Sequence, residues 1–304
     1  MRVFVTGATG FIGLAIINDL LSCGHEVLGL ARSDKSAAAL IKAGAKVHRG
    51  DLENTESLRQ GATQCDGVIH TGFIHDFTRF AEVCEVDRLA IEALGAALVG
   101  SDRPLIVTAG VALLAPGRFA TEDDAPPEVS PSYPRSSEKA AAAVKAMGVN
   151  VSVVRLAPSV HGDGDYGFVP MLIKLAREKG ISAYIGDGEN RWTAVHRFDA
   201  ARLFRLAFEH ARMEVKSDKV QRFHGVADEA IAFRHIAELI GRGLNIPIVS
   251  KSPAEASQHF GWFYHFAGMD CPAHSATTRK ILNWEPREST LLADLEHSTG
   301  YFAS

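Results

Sequence analysis

Three glycines lie at regular spacing near the start of the chain, at residues 7, 10 and 13. They separate an apolar segment at residues 3–5 from a second apolar segment that begins at Phe11. Where a strand meets a helix, the first glycine permits a tight turn, the second lets the backbone approach a phosphate and the third lets the helix pack on the strand. The first turn of such a helix offers free N–H groups and partial positive charge to an anion. The G-x-x-G-x-x-G spacing therefore predicts a site for the pyrophosphate of a dinucleotide.

The residues of this glycine-rich loop are the first candidates for cofactor binding. They are Gly7, Thr9, Gly10, Phe11, Ile12 and Gly13. A second group follows the fourth predicted strand and, from the order of the strands, is expected to pass beneath the pyrophosphate and the ribose: Thr71, Gly72 and Phe73. A third pair, Asp51 and Leu52, follows the third predicted strand. Asp51 either meets the adenine amino group or caps the next helix, and both interpretations stay open.

The end of the second predicted strand indicates which dinucleotide is bound. Proteins that prefer NAD usually place Asp or Glu there, where it bonds the ribose hydroxyls. Here the strand ends in Arg32 and Ser33, and an arginine can pair with a 2′-phosphate through two hydrogen bonds and stack on adenine. We therefore predict NADP(H) rather than NAD(H), with Arg32 and Ser33 at the 2′-phosphate. The alternatives are that Asp34 reaches the ribose, or that Arg32 is only a solvated charge.

Strand-like and helix-like segments alternate through the first half of the chain. This alternation predicts an α/β fold with a Rossmann-type, doubly wound parallel sheet and right-handed crossovers. The strands are expected near residues 2–6, 26–31, 45–48, 67–71, 104–109 and 151–156, and the helices near residues 11–23, 34–43, 54–62, 79–100 and 135–147.

The pattern changes after residue 156, where Gly and Pro become frequent. We predict an NAD(P)-binding Rossmann domain over residues 1–156, with a returning piece near 190–226, and a smaller, mostly helical substrate lobe over residues 157–304. A cleft between them is the expected substrate site, because open α/β sheets bind ligands beyond the carboxyl ends of their strands. Helices of the smaller lobe are expected near residues 168–179, 232–243, 253–264 and 275–282.

The composition is that of an ordinary globular protein, with 46% hydrophobic and 22% charged residues in a chain of 304. A formal net charge of -4 gives no bulk attraction to nucleic acid or to an anionic membrane. No apolar run is long enough to span a bilayer. The four cysteines and thirteen histidines follow no disulfide or metal-ligand spacing. We expect a cytoplasmic protein with reduced thiols that acts on a small molecule and uses no metal, nucleic acid or membrane.

Several segments together resemble a known family. The opening VTGATGFIG is similar to the signature of extended or atypical short-chain dehydrogenases/reductases of the NAD(P)-dependent epimerase/dehydratase type. The resemblance implies a Rossmann fold, a nicotinamide cofactor and a homodimer built from the helices near 79–100 and 135–147. It leaves the substrate open, because one fold hosts many chemistries. Further matching segments lie at residues 50–52, 68–72, 105–108, 155–164, 195–201 and 275–286.

The catalytic residues of that family are only partly present. The family uses a Ser or Thr after the fifth strand and a Y-x-x-x-K pair on the next helix, whose lysine favours the tyrosine phenolate. In this chain the serine position falls on Gly110, and Thr108 is the nearest hydroxyl. Tyr133 has a serine four residues later, and Lys139 has an arginine four residues earlier. No register restores the standard pair, although an irregular turn at Pro134 could bring Tyr133 and Lys139 together.

Our candidates for catalysis are therefore Thr108, Tyr133, Lys139 and His75, with Arg135 as a further contributor. Asp76 next to His75 suggests a relay in which the carboxylate orients the imidazole. Another loop could supply the acid instead, and the candidates there are His161, Tyr166 and Tyr264. In the register that places Pro134 at the tyrosine position, Glu138 takes the position of the lysine.

The combined features predict an NADP(H)-dependent oxidoreductase acting on a carbonyl or alcohol of a small organic molecule. Two alternatives remain: an epimerase, dehydratase or isomerase that uses the nicotinamide transiently, or a non-catalytic NADP(H)-binding regulator. One aromatic cluster forms either the core of the smaller lobe or an apolar pocket wall, which would favour an aromatic or hydrophobic substrate. Its members are Phe260, Trp262, Phe263, Tyr264 and Phe266.

Overall fold

The structure, a computed structural model, describes residues 1–131, 133–213, 218–297 and 299–302. These residues form the strands β1 (Arg2–Thr6), β2 (Glu26–Ala31), β3 (Lys46–Arg49), β4 (Gly67–His70), β5 (Pro104–Gly110), β6 (Asn150–Leu156), β7 (Ser159–His161), β8 (Ser182–Ile185), β9 (Arg191–His196), β10 (Gln221–Gly225), β11 (Asp228–Ala232) and β12 (Ile248–Lys251). They form the helices α1 (Phe11–Ser22), α2 (Asp34–Lys42), α3 (Thr55–Thr63), α4 (Phe80–Ala96), α5 (Ser137–Ala146), α6 (Phe168–Lys179), α7 (Arg197–Met213), α8 (Phe233–Leu244), α9 (Pro253–Phe260), α10 (Tyr264–Ala267), α11 (Ala276–Leu282), α12 (Leu291–His297) and α13 (Thr299–Phe302).

Seven parallel strands make up the main sheet, in the order β3-β2-β1-β4-β5-β6-β10. Strands covered on both faces need nearly continuous apolar residues. β4 and β6 are buried along their whole length, and β1 is buried from its second residue onward. The predicted α/β, Rossmann-type fold is confirmed, and the strands expected from the sequence lie within one or two residues of the observed ones.

The two faces of the main sheet are covered by different helices. Side chains alternate between faces along a strand, so Val3 and Val5 pack with α1 and α7 whereas Phe4 packs with α3 and α4. The longest helices described, α4 and α7, have 17 residues each. None of the described helices is long and apolar enough to cross a membrane.

A smaller lobe follows β6 and contains two short sheets, β11-β9-β7 and β12-β8. Its core gathers large aromatic side chains, among them Trp192, Phe233 and Phe263. The sequence predicted the main helices of this lobe but not its strands, because they lie outside the regular alternation of strands and helices that marked those of the main sheet. The prediction of a single helix over residues 253–264 is wrong. Gly261, with a φ of 55°, ends α9, and a 3-10 turn over Gly261–Phe263 leads into α10.

Part of the chain returns from the smaller lobe to the main sheet. α7 follows β9 directly and packs against α1 and β5, and β10 then pairs with β6 at the edge of the sheet. Arg197, the first residue of α7, therefore lies beside Phe11 at the start of α1. The start of α7 is thus a place where residues from distant parts of the chain meet.

Candidate active site

The glycine-rich loop is packed too tightly for larger residues. Gly7 has a φ of 65°, and a Cβ on it would lie 2.7 Å from the backbone of Thr71 and Gly72. A Cβ on Gly13 would lie 2.1 Å from the carbonyl oxygen of Gly7. The glycines thus let α1 begin directly after the turn that ends β1. The geometry is that of a cradle for a dinucleotide pyrophosphate.

The second glycine and the start of α1 form the open side of this cradle. Gly10 precedes α1 without a side-chain cap, and its own N–H donates to the Gly7 carbonyl at 2.9 Å. The next N–H, that of Phe11, donates to the hydroxyl of Tyr166 at 3.2 Å. Thr9 is half-buried, and Ile12 packs against the core on the α1 face of the sheet. The loop therefore offers backbone donors and few side chains to a phosphate.

Hydrogen bonds join the glycine-rich loop to the end of β4. The Thr71 hydroxyl donates to the Thr6 carbonyl at 2.8 Å, and the Gly72 N–H donates to the Thr6 hydroxyl at 3.2 Å. Phe73 is the next residue along the chain, and its ring lies under the Arg135 guanidinium. The structure thus brings together the two segments that the sequence placed at the pyrophosphate.

A buried hydrogen-bonded network beneath this loop was not predicted. Thr6 Oγ1 lies 2.7 Å from His70 Nδ1, His70 Nε2 lies 3.1 Å from Asp87, and the Ser137 hydroxyl donates to Asp87 at 2.6 Å. Burial raises the pKa of Asp87, but the bonds from His70 and Ser137 and the charge of Arg135 outweigh it, so that this pKa lies below its usual range. The network ties β1, β4, α4 and α5 together. Its members are far apart in sequence and show no shared pattern.

The expected adenosine end of the site lies at the ends of β2 and β3. Arg32 is exposed there, and Ser33 caps α2 by accepting the Ser36 N–H at 3.2 Å. Asp34, the alternative ribose ligand, pairs with Arg49 at 2.5 Å, a partner that the sequence does not predict. This ion pair neutralises both charges and leaves the exposed Arg32 as the cation available to an anion at this end of the site.

Asp51 caps a turn rather than a helix. Its carboxylate accepts the N–H groups of Glu53 and Asn54, at 3.0 and 2.8 Å, and Asn54 caps α3. The helix-cap interpretation of Asp51 is therefore wrong, and the adenine contact stays a prediction. Leu52 lies under Gly72, where a Cβ would approach the leucine to 2.8 Å.

Arg135 lies at the far end of the cleft without a carboxylate partner among the described residues. Its guanidinium carbon is 4.6 Å from the centre of the Phe73 ring, and its Nη2 is 3.5 Å from the Thr108 carbonyl. Its Nε is buried and makes no hydrogen bond within the described part of the chain. The Thr108 hydroxyl donates to the His70 carbonyl at 2.7 Å, so its proton is already engaged. Arg135 therefore makes no direct ion pair among the described residues, although its charge also acts on the buried Asp87.

Tyr133 and Lys139 line the same pocket as Arg135, together with Gly110. Tyr133 lies in the loop before α5, where its backbone pairs with Ser130. Burial raises the pKa of Tyr133, and the charge of Arg135 only partly opposes this. Lys139 is exposed on α5. Tyr133 is therefore a neutral phenol near neutral pH, a donor of a proton rather than a phenolate.

His75 stands beside the pocket but is not oriented by Asp76. The imidazole contacts the rings of Phe73 and Phe77, and burial, followed by the charge of Arg135, lowers its pKa. The Asp76 carboxylate instead accepts hydrogen bonds from Thr78 and Arg79. The predicted Asp76–His75 relay is wrong, because the carboxylate caps the short 3-10 turn that follows it.

Glu138 does not substitute for the missing lysine. Its carboxylate is buried and accepts hydrogen bonds from Arg155 at 2.7 and 2.9 Å and from Arg222 at 2.8 Å. Arg155 is fully buried in β6. This ion-pair cluster joins α5, β6 and β10, and both oxygens of the carboxylate are used within it.

The aromatic residues near 260 divide between the two interpretations made for them. Phe260 and Phe263 are buried in the core of the smaller lobe. Trp262 is 57% exposed and stacks on Phe77, with ring centres 5.5 Å apart at 22°. Phe266 also contacts Phe77. The exposed part of the cluster thus meets the loop after β4 and forms an apolar wall beside His75.

The loop over residues 162–167 is anchored by the C-terminal helices. His161 Nδ1 lies 2.6 Å from Asp294, and the Tyr301 hydroxyl accepts the Gly162 N–H and donates to Asp165 at 3.1 Å. Burial raises the pKa of Asp165 to about 6. Two of the alternative acid candidates lie here. His161 contacts Asp294 in this anchored region, and the Tyr166 hydroxyl contacts the glycine-rich loop at the Phe11 N–H.

We expect Asp165→Asn to stabilise the protein at about pH 8 but not at about pH 4. Because the folded pKa lies above the unfolded one, the stability linked to the bound proton is complete below about pH 4 and is lost as pH rises through about 6. The buried carboxylate form of Asp165 lowers the free energy of unfolding by about 2 kcal/mol, a figure reduced for the partial exposure of the group. Urea unfolding at both pH values measures the difference in free energy of unfolding between Asp165→Asn and wild type. Asp163→Asn, in the same exposed loop, is the control. A stability difference independent of pH would contradict the assignment.

Comparison with known proteins gives one family for most of the chain. The model of the NAD dependent epimerase/dehydratase family matches residues 3–221. A Schizosaccharomyces pombe protein without an assigned activity is 47% identical over 99% of this chain and 100% of its own. A 2-alkyl-3-oxoalkanoate reductase of Stenotrophomonas maltophilia is 29% identical over 69% of this chain and 66% of its own. The solved structure of a Thermotoga maritima UDP-glucose 4-epimerase with UDP-glucose aligns with a TM-score of 0.76 at 18% identity, over 99% of this chain and 98% of that one.

Proposed function

The chain belongs to the NAD dependent epimerase/dehydratase family, and on that premise we propose that it is an NADP(H)-dependent oxidoreductase for the carbonyl or alcohol group of a small hydrophobic molecule. The observation that carries this proposal is the position of Arg135. Its guanidinium lies beside β5, next to the Thr108 carbonyl, and with no ion pair among the described residues it can stabilise negative charge on a substrate oxygen. The similarity to a 3-oxoacid reductase supports carbonyl chemistry.

The residues present fit a nicotinamide dinucleotide. The cradle formed by Gly7, Gly10 and Gly13 would hold the pyrophosphate, and a Cβ at the first or third position would clash with the backbone that shapes it. Arg32 and Arg49 would meet the adenosine end. When bound, the cofactor supplies or accepts the hydride at the substrate carbon.

Two side chains are suited to the substrate oxygen. The Arg135 guanidinium stabilises the charge that develops on this oxygen when its carbonyl is reduced. Tyr133 holds a proton on its phenol oxygen, because burial keeps its pKa above the usual value, and it donates that proton to the oxygen. In this proposal, Arg135 and Tyr133 together perform the functions that a lysine and a tyrosine have in the family. Phe73 supports the guanidinium from one face.

The apolar wall defines the substrate class. Phe77 contacts Trp262, Phe266 and His75, and His75 in turn contacts Phe73, whose ring lies under Arg135. A site that combines such an aromatic wall with a small number of polar groups favours an apolar molecule that bears one polar reacting group. We propose an aromatic or alkyl ketone or aldehyde.

The test is NADPH consumption against a panel of aldehydes, ketones and quinones, with NADH in parallel. Turnover of hydrophobic carbonyl compounds with NADPH is the expected result. Tight binding of NADPH without turnover of any compound would contradict the proposal and favour a regulator that only binds the nucleotide.

A second candidate function is an epimerase or dehydratase. It is favoured by the match to the family over residues 3–221. Such an enzyme returns its cofactor to the starting state in each cycle. A cofactor that copurifies with the protein, and sugar nucleotides that are converted without net change in NADPH absorbance, would support this candidate over the first.

We expect Arg32→Ala to weaken NADPH binding by about 10- to 100-fold and to leave NADH binding within about twofold, because only NADPH carries the 2′-phosphate. Isothermal titration of both nucleotides measures the effect. Lys35→Ala is the control, since Lys35 is an exposed cation one turn away on α2. Equal losses for NADPH and NADH would remove the 2′-phosphate assignment.

A further inference from the structure

Two residues that follow β6 meet the start of α1 where a phosphate would lie. We propose that Tyr166 and Arg197 form a latch on the cofactor diphosphate. The Tyr166 hydroxyl accepts the Phe11 N–H and releases it to a phosphate oxygen when a dinucleotide binds, and Arg197 supplies the compensating positive charge. This inference rests on the dinucleotide binding of the proposed function, and its 2′-AMP control rests also on the preference for NADPH, but it does not depend on catalysis.

The Tyr166 hydroxyl covers the open side of the glycine-rich loop. It accepts the Phe11 N–H at 3.2 Å, and a Cβ on Gly10 would lie 3.9 Å from it. The Tyr166 ring meets the Phe11 ring edge to face, with centres 5.9 Å apart. The first free N–H of α1, the natural donor to an anion, is therefore occupied by a side chain 155 residues away.

Tyr166 is held weakly enough to be displaced. Its side chain is 64% exposed, and within the described residues its hydroxyl makes no other hydrogen bond. A phosphate oxygen carries full negative charge and accepts the same N–H more strongly than a neutral phenol does. The neighbouring Asp165 stays anchored by Tyr301 and Gly167, so the side chain can leave without release of the loop.

Arg197 makes no ion pair with any carboxylate in the described part of the chain. Its guanidinium carbon lies 5.0 Å from the centre of the Phe11 ring and 4.7 Å from that of Phe198. Its Nε is buried and has no hydrogen-bond partner among the described residues. The next two arginines of α7 are both paired, Arg202 with Asp199 and Arg205 with Asp19 and Glu209.

The location of Arg197 is unfavourable unless an anion is close by. It is the first residue of α7, where the helix dipole opposes a positive charge. A partly buried and unpaired cation is costly as well. A diphosphate on the N-terminus of α1, next to Phe11, would remove both penalties. The cation–π contacts with Phe11 and Phe198 keep the guanidinium in place until then.

The test separates the two ends of the cofactor. ADP carries a diphosphate but no 2′-phosphate, whereas 2′-AMP carries the reverse, and titration calorimetry measures both with the full chain. We expect Arg197→Gln to raise the Kd of ADP by about tenfold or more and to leave that of 2′-AMP within about twofold. Arg32→Gln should show the opposite pattern. Retained 2′-AMP binding shows that the Arg197→Gln protein is folded.

Unchanged ADP binding in Arg197→Gln would overturn the role of the arginine. Arg197→Lys, which keeps the charge, is expected to lose less ADP affinity than the Gln variant, and an equal loss would also contradict a charge effect. If wild-type protein bound neither ADP nor NADPH, the proposed function itself would fail.

Tyr166→Phe tests the displaced hydroxyl separately. The variant keeps the ring contact with Phe11 and frees the Phe11 N–H. We expect ADP to associate about threefold faster in stopped-flow measurements and to bind no more weakly than with wild type. Slower association or weaker binding would show that the hydroxyl contacts the bound diphosphate instead of giving way to it, and would overturn this part of the latch.

Discussion

Gly13→Ala is expected to abolish binding of both NADPH and NADH and to lower the free energy of unfolding by about 3 kcal/mol. The added methyl group would lie 2.1 Å from the Gly7 carbonyl oxygen and 2.9 Å from its carbon. Both are backbone atoms, so no side-chain rotation relieves the clash. Either α1 moves away from β1 or the turn at Gly7 opens, and both changes displace the N–H donors of the cradle. Urea unfolding and calorimetric titration measure the two effects.

Gly268→Ala is the matched control for this substitution. Gly268 has a φ of -90°, and an added Cβ would come no closer than 3.4 Å to another atom. Its free energy of unfolding and its nucleotide affinity should stay close to wild type. Wild-type nucleotide binding by Gly13→Ala would show that α1 and β1 tolerate a wider separation and would remove the packing argument for the third glycine.

Arg135→Gln is expected to reduce kcat/KM by about 100- to 1000-fold on the best carbonyl substrate of the panel. Glutamine keeps hydrogen-bonding groups near the Thr108 carbonyl but removes the charge that stabilises the substrate oxygen. The Kd of NADPH should change little, because Arg135 lies at the opposite end of the cleft from Arg32. Steady-state kinetics together with calorimetric titration separates the two quantities.

The control for Arg135 is Arg79→Gln, a change of the same chemistry at an exposed arginine. Arg79 pairs with Asp76 and Glu82 at the surface, and such pairs contribute little. Arg135→Lys should retain part of the activity, since the charge is kept while the planar fork is lost. Wild-type kcat/KM in Arg135→Gln would exclude Arg135 from the chemistry and leave Tyr133 and His75 as the remaining candidates.

The features that the sequence predicted are local. Gly7, Gly10 and Gly13 lie within seven residues, and the apolar runs of β1, β4 and β6 are contiguous. A turn, a helix start or a strand buried on both faces depends on neighbouring residues and on period, so that the fold and the pyrophosphate loop follow from the chain itself. The strands of the smaller lobe were missed because they do not alternate regularly with helices along the chain.

The arrangement of the polar side chains was decided by the tertiary structure. Asp76 can bond either His75 or the turn that follows, and the fold selects Thr78 and Arg79. The Glu138 carboxylate accepts hydrogen bonds from Arg155 and Arg222, whereas Arg135, three residues earlier, has no carboxylate partner in the part of the chain that the structure describes.

Tyr166 and Phe11 are 155 residues apart in the chain, and nothing in the sequence pattern predicts their contact. The sequence by itself determined the α/β sheet and the glycine-rich loop, and only the tertiary structure decided which cations remain free to meet a ligand. The physical reason is that backbone geometry follows local residue types, whereas a charged or hydrogen-bonding group takes whichever partner the folded chain brings within about 3 Å.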